Sequence, residues 1–120
     1  THPTTPSDIP VGAGLDKRTA QKLRRGQIPI EARIDLHGMT QPEAHTALSV
    51  ALERAQSEGH RCLLVITGKG TRREHGGVLK AMVPRWLNES VNKARVLAIQ
   101  SARPQHGGDG AVYVLLRKQR

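Results

Sequence analysis

Residues 62–70 read Cys62-Leu63-Leu64-Val65-Ile66-Thr67-Gly68-Lys69-Gly70. An unbroken apolar run of this length, stopped by a glycine turn, predicts a central, well-covered strand. What flanks it must then do the covering. Upstream, Thr40-Gln41-Pro42-Glu43 matches a capping box with proline in the first helical turn. Ala44, Ala47, Leu48, Ala51, Leu52 and Ala55 follow at helical spacing, so the pattern predicts an amphipathic helix to about Glu58, closed by Gly59. Downstream, Val78, Leu79, Met82, Val83, Trp86 and Leu87 mark a second helix. Pro84 falls inside it and predicts a kink near Met82 or a restart at Val83. Trp86 is expected against the sheet and His45, off the apolar stripe of its helix, in solvent.

Further out, Ala32 to His37 reads as a first strand, Val96 to Ile99 as a third and Ala111 to Leu116 as a fourth. The order is β-α-β-α-β-β. Helical crossovers make the first three strands parallel, and the last pairs antiparallel. Two helices cover one face of a sheet, which gives a two-layer α/β sandwich. Residues 1–14 are rich in Pro, Thr and Gly and read as a flexible tail. Residues 15–33 form a basic extension, with Asp16 capping a short helix from Lys17 to Arg25 that stops at Gly26. That helix is too short to stand alone, so it must dock or fray. The domain proper is expected over 34–120.

The formal net charge is +9 and aromatic residues make up 2% of the chain, Trp86 and Tyr113 without any phenylalanine. A strongly basic balance favours polyanionic partners, nucleic acid before a membrane surface. With so few rings there is no base-stacking platform, so recognition should rest on phosphates and shape. The lone Cys62 excludes a disulfide within the chain. No apolar run is long enough to span a bilayer and no signal-peptide pattern is present, so a cytoplasmic protein is the default.

The chemistry concentrates in three loops that a parallel sheet brings to one edge. In Ile34-Asp35-Leu36-His37-Gly38, alternation sends Ile34 and Leu36 into the core and Asp35 and His37 to the other face. A carboxylate beside an imidazole makes an acid–base pair, with Asp35 orienting His37 or raising its pKa. Gly68 and Gly70 bracket Lys69, and Arg72, Arg73, His75 and Lys80 add positive charge; this is a phosphate-binding turn without the spacing of a Walker A loop. The ten residues from Ser101 to Gly110 exceed what a hairpin needs. There Arg103 could stabilise charge on phosphorus and His106, in a flexible run with Gly107 and Gly108, could supply the second proton transfer; His75 competes for that role. Metal ligation by Asp35, His37 and a further histidine is the weaker reading.

Asp35-Leu36-His37-Gly38, Thr67-Gly68-Lys69-Gly70 and the His106–Gly110 loop, in that order, resemble the Smr (small MutS-related) domain, especially stand-alone bacterial members. Gly77-Val78-Leu79-Lys80 and Val83-Pro84-Arg85-Trp86-Leu87 share the likeness, which runs from about Ile34 to Arg117. The resemblance implies a βαβαββ fold with sheet order 1-2-4-3, similar to the C-terminal domain of translation initiation factor three. It implies endonuclease activity, nicking DNA in some members and cleaving RNA in others, with Asp35 and His37 catalytic and Gly68, Lys69 and Gly70 binding substrate. It also leaves an alternative, a non-catalytic nucleic-acid-binding module in DNA repair or recombination or in ribosome-associated RNA quality control. RNA cleavage would need no cofactor, since the ribose 2′-OH can attack; DNA cleavage would favour a divalent metal such as Mg²⁺. The expected partners are nucleic acid and, through it, the ribosome, with no membrane and no obligatory protein partner.

Overall fold

The computed structural model describes residues 15–68 and 76–118. Four strands, β1 (Ala32–Asp35), β2 (Cys62–Ile66), β3 (Val96–Ser101) and β4 (Ala111–Leu116), form one sheet in the order β1-β2-β4-β3. β1 and β2 are parallel, while β4 runs antiparallel to both β2 and β3. This is the mixed sheet expected from the sequence. The apolar run at Cys62–Ile66 is indeed interior: Cys62, Leu63, Leu64 and Val65 are each no more than 1% exposed.

Helix α2 (Gln41–Ser57) carries both halves of its capping box, with Glu43 N–H donating to Thr40 Oγ1 and Thr40 N–H to the Glu43 carboxylate. Its buried stripe Ala44, Leu48, Leu52 and Ala55 packs with Leu36, Leu63, Val65, Val114 and residues of helix α3 (Gly76–Leu87) into the larger core cluster. The small residues of α2 allow it to lie close on the strands.

α3 corrects one expectation. It is continuous through Pro84, so the restart at Val83 does not occur. Pro84 lies in the last turn, where its missing N–H deprives only the Lys80 carbonyl of a partner. Burial of Val83, Trp86 and Leu87 holds the turn in place, and Asn88 Nδ2 donates to the Pro84 carbonyl at 2.9 Å. His45 corrects another. It is half-buried, stacked on Trp86 with ring centroids 4.6 Å apart and an interplanar angle of 6°, and bonded to Glu89 at 2.7 Å. A four-residue helix α4 (Ser90–Lys93), too short to carry a periodic signal, follows.

The opposite face of the sheet has its own cover. Helix α1 (Lys17–Arg24) is capped by Asp16, whose carboxylate accepts from Thr19 N–H, and it ends before Gly26 at φ 69°. It docks rather than frays: Leu23 is 3% exposed and packs with Cys62, Leu64, Ala98, Ala111, Tyr113 and Leu115. Leu15, Ile28 and Ile30 extend this smaller cluster. The basic side chains of α1 point the other way, into solvent.

Candidate active site

The four strand ends align at one edge. Asp35 is in register with Ile66, Ile66 with Ala111, and Ala102 N–H donates to the Ala111 carbonyl. β1 stops at Asp35, two residues short of the expected end, but Leu36 N–H still donates to the Ile66 carbonyl at 2.8 Å. That bond keeps the strand phase through Leu36, which is fully buried, so the side chains on either side of it emerge from the α1 face. Gly38, at φ 85°, then turns the chain toward α2.

Asp35 and His37 are together, as expected. Asp35 Oδ1 accepts from both the His37 backbone N–H and the His37 ring Nδ1, each at 3.0 Å. Both side chains are about half exposed, His37 at 56% and Asp35 at 52%. Partial desolvation pushes the Asp35 carboxyl up, but the backbone N–H, the ring and the charge of His37 together outweigh it and hold the carboxyl below its ordinary range. An ionised carboxylate can only accept, so Nδ1 carries a proton and Nε2 is the acceptor of the neutral ring.

The second and third loops meet backbone to backbone. Thr67 and Gly68 N–H both donate to the Gly110 carbonyl, at 2.8 and 3.1 Å. A Cβ on Gly110 would lie 3.1 Å from the Gly68 carbonyl carbon, so a side chain there would press on the Gly68 backbone. Lys69, Gly70, Arg72, Arg73 and His75 lie outside the described residues.

The Ser101–Gly110 loop is not a loose glycine run. It contains two single-turn 3₁₀ helices, Pro104–His106 and Gly108–Gly110, joined through Gly107 at φ 117°. Gly108 N–H closes it onto the Arg103 carbonyl at 3.0 Å. His106 and Arg103 converge on a residue that the motif reading left aside. The Tyr113 hydroxyl, on a side chain 1% exposed, accepts from Arg103 N–H at 3.1 Å and shares a hydrogen bond with His106 Nδ1. His106 makes no hydrogen bond or ion pair with Asp35 or His37 among the described residues. Strand alternation carried the signal for Tyr113, since Ala111, Tyr113 and Leu115 share the α1 face.

Gly26 ties α1 to the same cluster. A Cβ there would stand 2.6 Å from Tyr113 Oη and 3.0 Å from Arg103 Cγ. Arg24 and Arg25 are thereby carried to the flank of the loop. Arg33, on β1 beside Asp35, is exposed on this face as well. None of Lys17, Arg18, Lys22, Arg24, Arg25, Arg33, Lys80, Arg85 or Arg103 forms a salt bridge among the described residues. Lys80 stands on the other side of the edge, on α3. No group of three His, Cys, Asp or Glu side chains is assembled for a metal among the described residues, and no helix among them is long and apolar enough to cross a membrane.

A βαβαββ domain with sheet order 1-2-4-3 and an Asp-x-His pair at its strand edge defines a class. Residues 34–117 match the Smr domain model. The chain belongs to the Smr domain family. It is 35% identical over 106 residues to the ribosome rescue factor SmrB of Haemophilus ducreyi, and 36% identical over 106 residues to the probable DNA endonuclease SmrA of Escherichia coli. Each match covers 88% of this chain and 55% of the relative, so the chain spans about half the length of these curated relatives. Its structure resembles YdaL, a stand-alone small MutS-related protein from Escherichia coli, with a TM-score of 0.69 and 33% identity over 98% of this chain and 93% of that one. It also resembles the Smr domain of Thermus thermophilus MutS2, with a TM-score of 0.61 and 33% identity over 72% of this chain and 98% of that one.

Proposed function

We propose that this protein is a nucleic-acid endonuclease that breaks phosphodiester bonds at the strand edge. The observation that carries the reading is the exposed Asp35–His37 pair, fixed at 3.0 Å on a face whose cations form no salt bridge among the described residues. Asp35 fixes the tautomer, and His37 Nε2 takes a proton from the attacking group. With RNA, the 2′-OH attacks phosphorus, the P–O5′ bond breaks, and the products are a 2′,3′-cyclic phosphate and a 5′-OH. His106 or His75 protonates the departing 5′-oxygen. Lys69, Arg72, Arg73 and Arg103 hold the phosphate and offset its charge.

With DNA there is no 2′-OH, so water must attack, and a divalent metal would supply a more acidic water. Asp35 offers it one carboxylate, with Oδ1 already taken by His37. Mg²⁺ would therefore draw its other ligands from water and substrate phosphate. The relatives named ribosome rescue factor favour RNA on a ribosome as the target; the one named probable DNA endonuclease favours DNA.

The test is to incubate the protein with single-stranded RNA and with supercoiled plasmid, each in Mg²⁺ and in EDTA. RNA cleavage in EDTA, leaving cyclic phosphate ends, is expected. Salt-dependent binding without any product, in either medium, would replace the enzyme with a binding module.

A further inference from the structure

On the α3 side of the same edge lies a cavity of about 360 Å³. It is within the range of small-ligand sites, roughly 300–1,000 Å³. Its walls are apolar, from Ala81, Val83 and Pro84 of α3 and Val112 of β4. Thr67 closes the end toward the catalytic edge, and Lys80 and Arg85 stand at its rim with Asp109 across from them. The side chains of Lys80, Arg85 and Asp109 are exposed and make no hydrogen bond or ion pair among the described residues. Ser101, Gly77 and Ala111 complete the lining, and on the same turn of α3 the Lys80 carbonyl has no i+4 donor, because Pro84 lacks an N–H.

We infer that this cavity receives an unpaired nucleobase of the bound strand, with Lys80 and Arg85 on one of the two phosphates that flank it. The inference rests on the nuclease reading and narrows its substrate to single strands. Three features of the site match a nucleotide. The slot is apolar and of the right size for a flat ring. A cationic pair marks its mouth. An acceptor carbonyl and a carboxylate are free to meet the exocyclic amines of a base.

The position fits as well. The cavity and the Asp35–His37 pair lie on opposite faces of the sheet, but both border the Thr67-Gly68/Gly110 seam. Among the described residues that seam carries no side chain bulkier than Thr67, so a strand can approach Thr67, Gly68 and Gly110 closely, with a base turned to the α3 side and the adjoining phosphate at the pair. A stacked and paired base cannot enter such a slot without leaving its helix.

The experiment is a titration of isotope-labelled protein with 5′-UMP, 5′-AMP and ribose 5-phosphate, followed by amide resonances. The nucleotides should shift Ala81, Ala111 and Val112, and ribose 5-phosphate should leave them unmoved. Ala81→Trp, on an exposed position, should fill the slot. It should weaken single-stranded oligonucleotide binding by about tenfold at fixed salt and leave duplex binding unchanged. Lys80→Gln with Arg85→Gln should weaken the same oligonucleotides without touching the packed wall. A single abasic residue walked along an RNA or DNA oligonucleotide should reduce affinity at one position relative to the cut. Unchanged binding in all variants and no nucleotide-specific shift would overturn the pocket while leaving the nuclease reading intact. Failure of the unaltered protein to bind any oligonucleotide would overturn both.

Discussion

The two faces of the sheet are built differently. On one, α2 and α3 lay long apolar stripes across the four strands, and fifteen buried residues among those described merge into a single cluster. On the other, one eight-residue helix covers the sheet through Leu23, and eight buried residues suffice. Around that thinner cover stand the Asp35–His37 pair, the Arg103–His106–Tyr113 contacts and the arginines of α1. Folding free energy is concentrated on one side, which leaves polar groups on the other free to be arranged for chemistry. Changes on the α2/α3 face should therefore cost stability, and changes on the α1 face should cost activity first.

Leu48→Ala, at a fully buried position on α2, is the strongest way to break that contrast. It should cost about 2–5 kcal/mol by urea denaturation while leaving per-molecule cleavage near wild type in the folded fraction. Gly26→Ala asks whether α1 is part of the site. Its backbone is left-handed and its Cβ would collide with the rigid, buried Tyr113 hydroxyl. A loss of about 1–3 kcal/mol is expected, with α1 released from the sheet. If cleavage falls further than the folded fraction does, α1 is part of the functional face. Thr40→Ala removes one half of the α2 capping box and should cost about 1 kcal/mol with no change in cleavage.

The smallest effect concerns pH. Asp35 is held below its ordinary value in the folded state, so its contribution to stability is present above the unfolded carboxylate range and is lost as pH falls through the lowered folded value. The difference in Tm between wild type and Asp35→Asn should shrink as pH falls below the ordinary carboxylate range and vanish in strong acid. A difference that persists undiminished in strong acid would place the coupling elsewhere.

Local signals made much of the fold legible. The Thr40–Glu43 box, the stops at Gly26 and Gly59 and the uninterrupted run at Cys62–Ile66 each bias the backbone within a few residues. The same holds for Asp35 and His37, whose pairing follows from strand alternation and a short spacing. What stayed hidden depends on residues far apart in the chain. Leu23 alone could not announce that α1 docks. Pro84 reads as a break until the burial of Val83, Trp86 and Leu87 is known. The stack of His45 on Trp86, the Tyr113 hydroxyl under Arg103 and His106, and the cavity between α3 and β4 are all products of tertiary packing, for which a linear pattern has no period.

The claim at the centre is that the thinly covered face carries the chemistry and that His37 is its base. Its most direct test is the single-turnover cleavage rate of His37→Ala on a substrate cut by the wild type, with oligonucleotide affinity and Tm measured on the same preparation. A rate lower by about 10²–10⁴-fold, with affinity and Tm close to wild type, is the predicted result. A rate equal to wild type would contradict it.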